Sequence, residues 1–205
     1  MPKASGASLV LASGSQTRHR LLKAAGVSFE VVTPQVDEAV VREAVKTGAG
    51  GVEPADVAEI LARAKAEEVS ARHPDAVVIG ADQILSCDDE IFSKAETIDD
   101  ARATLLKLRG RTHELHSAVA IAEDGETTWT MVDTAHLTMR AFTPACLGQY
   151  MVQAGAGVLD SVGCYKLEEA GIQLFERIEG DYFTILGLPM LPLLAELRGR
   201  KLVMV

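Results

Sequence analysis

The sequence predicts an α/β fold in which a mixed, twisted central sheet is flanked by helices. Short apolar segments, typical of parallel strands covered on both faces, alternate with helical segments in the first half of the chain. The middle of the chain then changes to the two-residue period of an antiparallel hairpin. Serine, threonine, proline and glycine at the segment boundaries give most helices a defined start and end.

The first fifty residues are predicted to form a strand, a helix and a second strand. The apolar residues 8–12 form the first strand, and Ser15 caps a helix that Gly26 ends. A second strand follows over residues 29–32, and the glycine cluster at residues 48–51 indicates a loop.

A long helix and a buried strand come next. A proline at the first helical position predicts a helix over residues 54–72. Residues 76–85 are almost entirely apolar, as a strand buried on both faces should be, and Asp82 interrupts them. Asp99 is predicted to cap a further helix that ends at Gly110.

The second half begins with a long antiparallel hairpin. Residues 115–121 and 129–139 alternate in polarity, and Asp124-Gly125 turns the chain between them. Trp129 and the methionines of the second strand are predicted to belong to the core. Three elements complete the chain: a helix over residues 143–155, a strand near residues 172–178 and a final helix around residues 191–197.

Composition and charge exclude several classes of protein. With 205 residues, 48% hydrophobic and 24% charged, the chain can bury a core as one large domain or two small lobes, which excludes disorder and coiled coil. The 20 basic and 29 acidic residues give a net charge of −9, which argues against binding nucleic acid or an anionic membrane through bulk charge. Any phosphate site must therefore be local.

The cysteines and the apolar segments predict a cytoplasmic protein. Cys87, Cys146 and Cys164 are odd in number and lack CxxC spacing, which favours a reducing compartment and core positions over a disulfide framework. No uncharged stretch approaches the ~20 apolar residues of a membrane span.

Three features could carry chemistry. The turn Ser13-Gly14-Ser15 at a helix N-terminus suits a phosphate, although these three residues taken alone favour simple helix capping. Asp82 needs a metal, a basic side chain or a ligand as partner, unless it is a structural capping carboxylate. Lys65 lies beside the apolar stripe of its helix, so it points toward the core or extends past its edge into solvent.

The sequence lacks the motifs that are typical of several other catalytic and binding sites. His113 and His116 are three residues apart on a predicted strand and point to opposite faces, so a zinc site is not expected. The sequence contains no GxSxG, Walker A or GxGxxG pattern, which argues against an α/β-hydrolase elbow, a P-loop and a dinucleotide fold.

Taken in order, the motifs resemble those of the Maf (septum-inhibitor-like) nucleoside triphosphate pyrophosphatases, from about Leu9 to Arg198. The family's opening motif is Leu-Ala-Ser-x-Ser-Pro-Arg-Arg. The matching motifs are Leu11-Ala12-Ser13-Gly14-Ser15-Gln16-Thr17-Arg18 with Leu21-Leu22, Asp37-Glu38, Lys65-Ala66, Gly80-Ala81-Asp82, Lys94, residues 175–182 and Gly187-Leu188-Pro189.

The resemblance implies a single domain over residues 1–205, with two lobes around a nucleotide cleft, that releases pyrophosphate from a nucleoside triphosphate. It implies that Asp82 is the general base and that Glu38 and Asp82 bind a divalent cation, Mg²⁺ or Mn²⁺. The residues implied to hold the triphosphate are Ser13, Ser15, Arg18, Lys65 and Lys94. The partner is then a nucleotide and not a nucleic acid polymer or a membrane, and a homodimer stays open.

Three positions separate branches of the family. The dTTP/UTP branch has Arg, Thr and Gln there, and the 7-methyl-GTP branch has Trp, Gln and Glu; this chain has Thr17, Gln83 and Glu168. The two matches favour 7-methyl-GTP or another purine nucleotide, although Thr17 lacks an aromatic face to stack on the base. A dTTP/UTP pyrophosphatase and a nucleotide-binding regulator of cell division with vestigial hydrolysis are the alternatives.

Overall fold

The computed structural model describes residues 8–40, 52–88 and 90–204. The strands are β1 (Ser8–Ala12), β2 (Glu30–Val32), β3 (Ala76–Cys87), β4 (Glu90–Phe92), β5 (Thr112–Glu123), β6 (Glu126–Met139) and β7 (Phe175–Glu179). The α-helices are α1 (Gln16–Ala24), α2 (Pro54–Arg72), α3 (Ile98–Leu108), α4 (Pro144–Ala154), α5 (Tyr182–Ile185) and α6 (Met190–Gly199). Short 3₁₀ helices cover Gly155–Leu159 and Ala170–Leu174.

Seven strands form one mixed sheet, which confirms the predicted α/β class. Its order is β2-β1-β3-β5-β6-β7, and β4 pairs with β3. β1 is parallel to both β2 and β3, whereas β4 and β7 are antiparallel to their partners. Asp124 and Gly125 both have positive φ, the conformation that a two-residue hairpin turn requires, and they join β5 to β6 as predicted.

The chain divides into two compact units. The first unit contains residues 8–83, 117–133 and 187–204 among those described, and the second contains residues 84–116 and 134–186. The second unit has its own core, built around buried aliphatic side chains of β5, β6, α3 and α4 such as Leu105 and Leu137. None of the helices in the described part of the chain is long and apolar enough to span a membrane.

Polar contacts fix the helices of the first unit. Along α2, Ser70 Oγ accepts the backbone N–H of Gly125, and Glu67 accepts a hydrogen bond from Thr127. At the C-cap of α6, the side chain of Arg200 is only 9% exposed and pairs with both Glu123 and Glu196. These bonds tie both helices to the β5–β6 hairpin.

Most predicted elements are confirmed, and three details were wrong. The cap of α3 is Thr97 and not Asp99, because Thr97 forms a reciprocal capping box with Asp100. The strand predicted near residues 172–178 begins only at Phe175, after a 3₁₀ helix. Trp129 and Met131 are half-buried instead of core residues, because burial along β6 begins only at Ala135. The predicted loop at residues 48–51 lies outside the described residues.

The packing of α2 on β3 depends on a glycine. A Cβ atom at Gly80 would lie 2.3 Å from the carbonyl oxygen of Ala62 and 2.6 Å from the backbone nitrogen of Ala66. Both atoms belong to the α2 backbone, which cannot move away as a flexible side chain could. Gly80 therefore permits the close approach that brings α2 against the strand carrying Asp82.

We predict that Gly80→Ala lowers the free energy of unfolding by about 1–3 kcal/mol, because the added methyl overpacks the contact with the α2 backbone. Urea denaturation measures this change. Gly148→Ala is the matched control, because Gly148 lies in α4 and an added Cβ would meet no atom within 4 Å. The control should gain about 0.4–1 kcal/mol, and equal effects of the two variants would contradict the close-packing argument.

Candidate functional site

The turn between β1 and α1 is built by two serines. Ser13 is buried, and its Oγ accepts the backbone N–H of Ser15 at 3.2 Å. Ser15 is the N-cap of α1, and its Oγ accepts the N–H of Arg18 at 3.4 Å. Helix capping is therefore confirmed. It does not exclude an anion, since both hydroxyl protons can still be donated and an added Cβ at Gly14 would meet nothing within 4 Å.

Asp82 has the cationic partner that its burial requires. Its side chain is 6% exposed, and Oδ1 accepts a hydrogen bond from Lys65 Nζ at 2.6 Å. The other carboxylate oxygen, Oδ2, is buried and has no hydrogen-bond partner among the described residues. One oxygen of Asp82 is thus fixed and the second is available for a proton, water or cation.

Lys65 contacts two carboxylates. Its Nζ lies 2.6 Å from Glu38 Oε1 as well as from Asp82 Oδ1, and its side chain is 9% exposed. Of the two orientations that the sequence left open, the inward one is therefore correct. Asp37 supports this contact, because its Oδ1 caps the helical turn that starts at Glu38 by accepting the N–H groups of residues 39 and 40.

Arg18 is buried and bonded mainly to backbone. Its Nε donates to the carbonyl oxygen of Gly187 at 2.7 Å, and its Nη1 donates to the carbonyl oxygen of Ala81 at 2.9 Å and to Ser13 Oγ at 3.3 Å. Burial lowers the pKa of the Arg18 guanidinium, while the charges of Asp82 and Glu38 act in the opposite direction.

Two of the proposed specificity residues lie in the same unit. Gln83 follows Asp82 on β3, and its Nε2 donates to Ser117 Oγ on β5 at 2.9 Å. Thr17 is in the first turn of α1, where its Oγ1 accepts a hydrogen bond from Arg20 at 3.2 Å. Ser117 was not singled out from the sequence, and only its polarity among the apolar residues of β5 could have indicated a role.

Lys94 and Glu168 belong to the second unit. Lys94 is exposed in the segment between β4 and α3, and Glu168 is half-buried shortly before the second 3₁₀ helix. The structure therefore groups Ser13, Ser15, Thr17, Arg18, Glu38, Lys65, Asp82 and Gln83 in the first unit, and these two residues in the second.

The two histidines of β5 are buried in the second unit. His113 Nε2 is 2.7 Å from the Tyr165 hydroxyl, and burial lowers the pKa of His113 to about 4, so it is neutral at physiological pH. His116 contacts Ser86 Oγ at 2.9 Å and Thr134 Oγ1 at 3.0 Å. Both rings take part in internal hydrogen bonds.

The charges around Asp82 help to decide whether a divalent cation could bind there. Formally, the positive charges of Lys65 and Arg18 cancel the negative charges of Asp82 and Glu38, so a bound polyphosphate would need further positive charge. Within the described residues no group of three or more His, Cys, Asp or Glu side chains could hold a metal ion. Two carboxylates, one with an unpartnered buried oxygen, nevertheless fit Mg²⁺, which often binds through one or two carboxylates together with substrate phosphates.

The fold and these residues define an α/β protein with a candidate anion site beside a buried carboxylate. The chain matches the family model described as Maf-like protein over residues 8–200. It is 52% identical over 193 residues to a 7-methyl-GTP pyrophosphatase of Brucella abortus, an alignment that covers 94% of this chain and 96% of the relative. It is 51% identical over 192 residues to a nucleoside triphosphate pyrophosphatase of Caulobacter vibrioides, with 93% and 94% covered. The chain therefore belongs to the Maf-like family, and the resemblance found in the sequence is confirmed.

We predict that Lys65→Met lowers the free energy of unfolding by about 3–5 kcal/mol, because it leaves a buried carboxylate without its cation. The double variant Lys65→Met/Asp82→Asn should recover part of this loss, since it removes the uncompensated charge. Lys107→Met is the control, because Lys107 pairs with Glu90 where both side chains are about half exposed, and its loss should stay within about 1 kcal/mol. Equal losses in Lys65→Met and Lys107→Met, measured by urea denaturation at pH 7, would contradict a buried pair.

Proposed function

We propose that this chain is a nucleoside triphosphate pyrophosphatase, which hydrolyses its substrate to the nucleoside monophosphate and pyrophosphate. The observation that supports this most directly is the state of Asp82, whose Oδ1 is held by Lys65 while its buried Oδ2 has no hydrogen-bond partner among the described residues. The names of the Brucella and Caulobacter relatives, both pyrophosphatases, support the same activity.

In this proposal Asp82 is the general base. Lys65 fixes the orientation of the carboxylate, and Oδ2 accepts a proton from a water molecule. The oxygen of that water forms a bond to the phosphorus next to the nucleoside. The bond from this phosphorus to the bridging oxygen breaks, and the pyrophosphate leaves with the electron pair.

The triphosphate is proposed to bind where the first unit offers donors and positive charge. The hydroxyl groups of Ser13 and Ser15 and the N-terminus of α1 suit phosphate oxygens. Lys65 and Arg18 add positive charge beside Asp82. Lys94 is assigned to this role by its match to the family motif.

A divalent cation, Mg²⁺ or Mn²⁺, is proposed as the cofactor, with Glu38 and Asp82 as its protein ligands. When bound, such a cation neutralises charge that develops on the phosphate oxygens. The carboxylates of Glu38 and Asp82 already converge on one cation, Lys65, which supports their ability to share another.

The substrate base is proposed to be 7-methylguanine or another purine, selected by Thr17, Gln83 and Glu168. A carboxylate such as Glu168 can accept hydrogen bonds from the N1–H and the exocyclic amine of guanine. The name of the Brucella relative, 7-methyl-GTP pyrophosphatase, supports the same substrate.

We place the protein in the cytoplasm, because its three cysteines are unpaired and so suit a reducing compartment. The nucleotide is the proposed partner. A homodimer stays a prediction.

We predict that Asp82→Asn reduces kcat by about 10²–10⁴-fold, because the amide cannot accept the proton of water. The assay supplies GTP, 7-methyl-GTP and UTP with Mg²⁺ or Mn²⁺, and separates pyrophosphate from phosphate among the products. Asp133→Asn is the control, since Asp133 is a half-buried carboxylate on β6 of the same unit and should leave kcat unchanged.

Two outcomes would contradict this proposal. Activity of Asp82→Asn within a few-fold of the wild type would remove Asp82 from the role of base. Release of phosphate instead of pyrophosphate by the wild type would remove the proposed reaction.

We predict that Gln83→Thr combined with Glu168→Gln shifts the preference toward UTP, because it deletes the acceptors that a guanine needs. Each mismatched polar contact should change discrimination by about 1–3 kcal/mol, so the ratio of kcat/KM for 7-methyl-GTP over UTP should fall at least about tenfold. Glu169→Gln, an exposed neighbour, is the control. An unchanged ratio in the double variant would mean that the base is recognised elsewhere, and Thr17 would be tested next.

A further inference from the structure

We infer that Arg18 is a positioning residue, whose Nε and Nη1 hold the backbone at Ala81 and the hydroxyl of Ser13 in place for catalysis. The inference rests on the proposed function, in which Asp82 is the base and Ser13 a phosphate ligand. It goes beyond the role of phosphate ligand that the family resemblance gives to Arg18, because the contacts of its guanidinium are to the protein itself.

Arg18 continues the hydrogen bonding of β3 where β1 ends. The register between these two parallel strands runs from Ser8 and Ala76 to Ala12 and Gly80, after which the chain of β1 turns into α1. The next carbonyl oxygen of β3, that of Ala81, accepts from Arg18 Nη1 at 2.9 Å. This carbonyl belongs to the peptide group that leads directly into Asp82, so the bond fixes the plane from which the base projects.

The same guanidinium connects two other segments. Nη1 also reaches Ser13 Oγ at 3.3 Å, and Nε donates to the carbonyl oxygen of Gly187 at 2.7 Å. Gly187 has φ of +93°, and a Cβ there would lie 3.6 Å from Arg18 Nε and Nη2. A residue with a side chain would be strained in this conformation, so glycine allows the carbonyl to meet the guanidinium.

The shape of the Arg18 guanidinium allows its positioning role to be tested separately from its positive charge. Three donated bonds in different directions require the rigid, planar fork of arginine, which the compact ammonium group of lysine cannot reproduce. The positive charge, in contrast, is kept in a lysine variant. Arg18→Lys therefore removes the connections among Ala81, Ser13 and Gly187 while it preserves the attraction for a triphosphate.

The experiment compares Arg18→Lys with the wild type for turnover and for binding. kcat is measured with 7-methyl-GTP or GTP, and the dissociation constant is measured with the α,β-methylene analogue of GTP, which is not hydrolysed. We expect kcat to fall about ten- to a hundredfold, as for a displaced catalytic group, and the dissociation constant to change less than about threefold. Arg63→Lys, at an exposed position of α2, should change neither quantity.

A kcat within twofold of the wild type in Arg18→Lys would overturn the inference, and so would a loss confined to binding. Gly187→Ala gives a second test from the opposite side of the contact and keeps the charge of Arg18. It should lower kcat with little change in binding, and its combination with Arg18→Lys should lower kcat less than the product of the single effects. Wild-type kcat in a folded Gly187→Ala, or multiplicative effects in the double variant, would also overturn it.

The experiment separates this inference from the proposed function. Absence of pyrophosphate release by the wild type contradicts the proposed function and the inference with it. Pyrophosphate release by the wild type together with normal turnover of Arg18→Lys contradicts the inference alone. Thermal unfolding of each variant identifies one that fails to fold. If Arg18→Lys fails to fold, the kcat of Gly187→Ala decides; if Gly187→Ala fails to fold, the kcat of Arg18→Lys decides.

Discussion

The candidate site of the first unit depends on the buried ion pair between Lys65 and Asp82. A carboxylate inside an apolar strand is costly to desolvate, and a lysine within a packed helix is costly as well. The pair forms because Gly80 allows the backbone of α2 to approach β3 far more closely than any side chain would permit. The packing of a helix on a strand thus determines the position of the charges, and the chemistry follows from the packing.

The charges of this region are balanced before any ligand binds. Lys65 and Arg18 face Asp82 and Glu38, so neither carboxylate is left without positive charge nearby. The positive charge is local and buried and is not part of a basic surface, so the proposed anion site is compatible with a net charge of −9. Because the balance leaves no net positive charge, a polyphosphate in the proposed reaction would be accompanied by a divalent cation.

Elements with strong local signals were predicted well from the sequence. The N-cap at Ser15, the proline at the start of α2 and the Asp124-Gly125 turn are all set by neighbouring residues, and each was confirmed. The errors arose where signals competed locally or where burial was involved. Thr97 caps α3 in place of Asp99, because Thr97 and Asp100 form a reciprocal capping box. Trp129 follows the predicted alternation of the strand, but it lies on a part of β6 that is only half-buried.

The sequence by itself determined the order of the longer strands and helices, the need of Asp82 for a partner, and the motifs that identify the Maf-like family, because these depend on residue type and short spacing. It did not predict the short elements β4 and α5. Only the tertiary structure decided that Lys65 is that partner and that Arg18 bonds to Ala81 and Gly187. Those residues are 63 and 169 positions from Arg18 in the chain. Contacts over such separations depend on how strands align and how closely a helix packs, and no local pattern of residues encodes either.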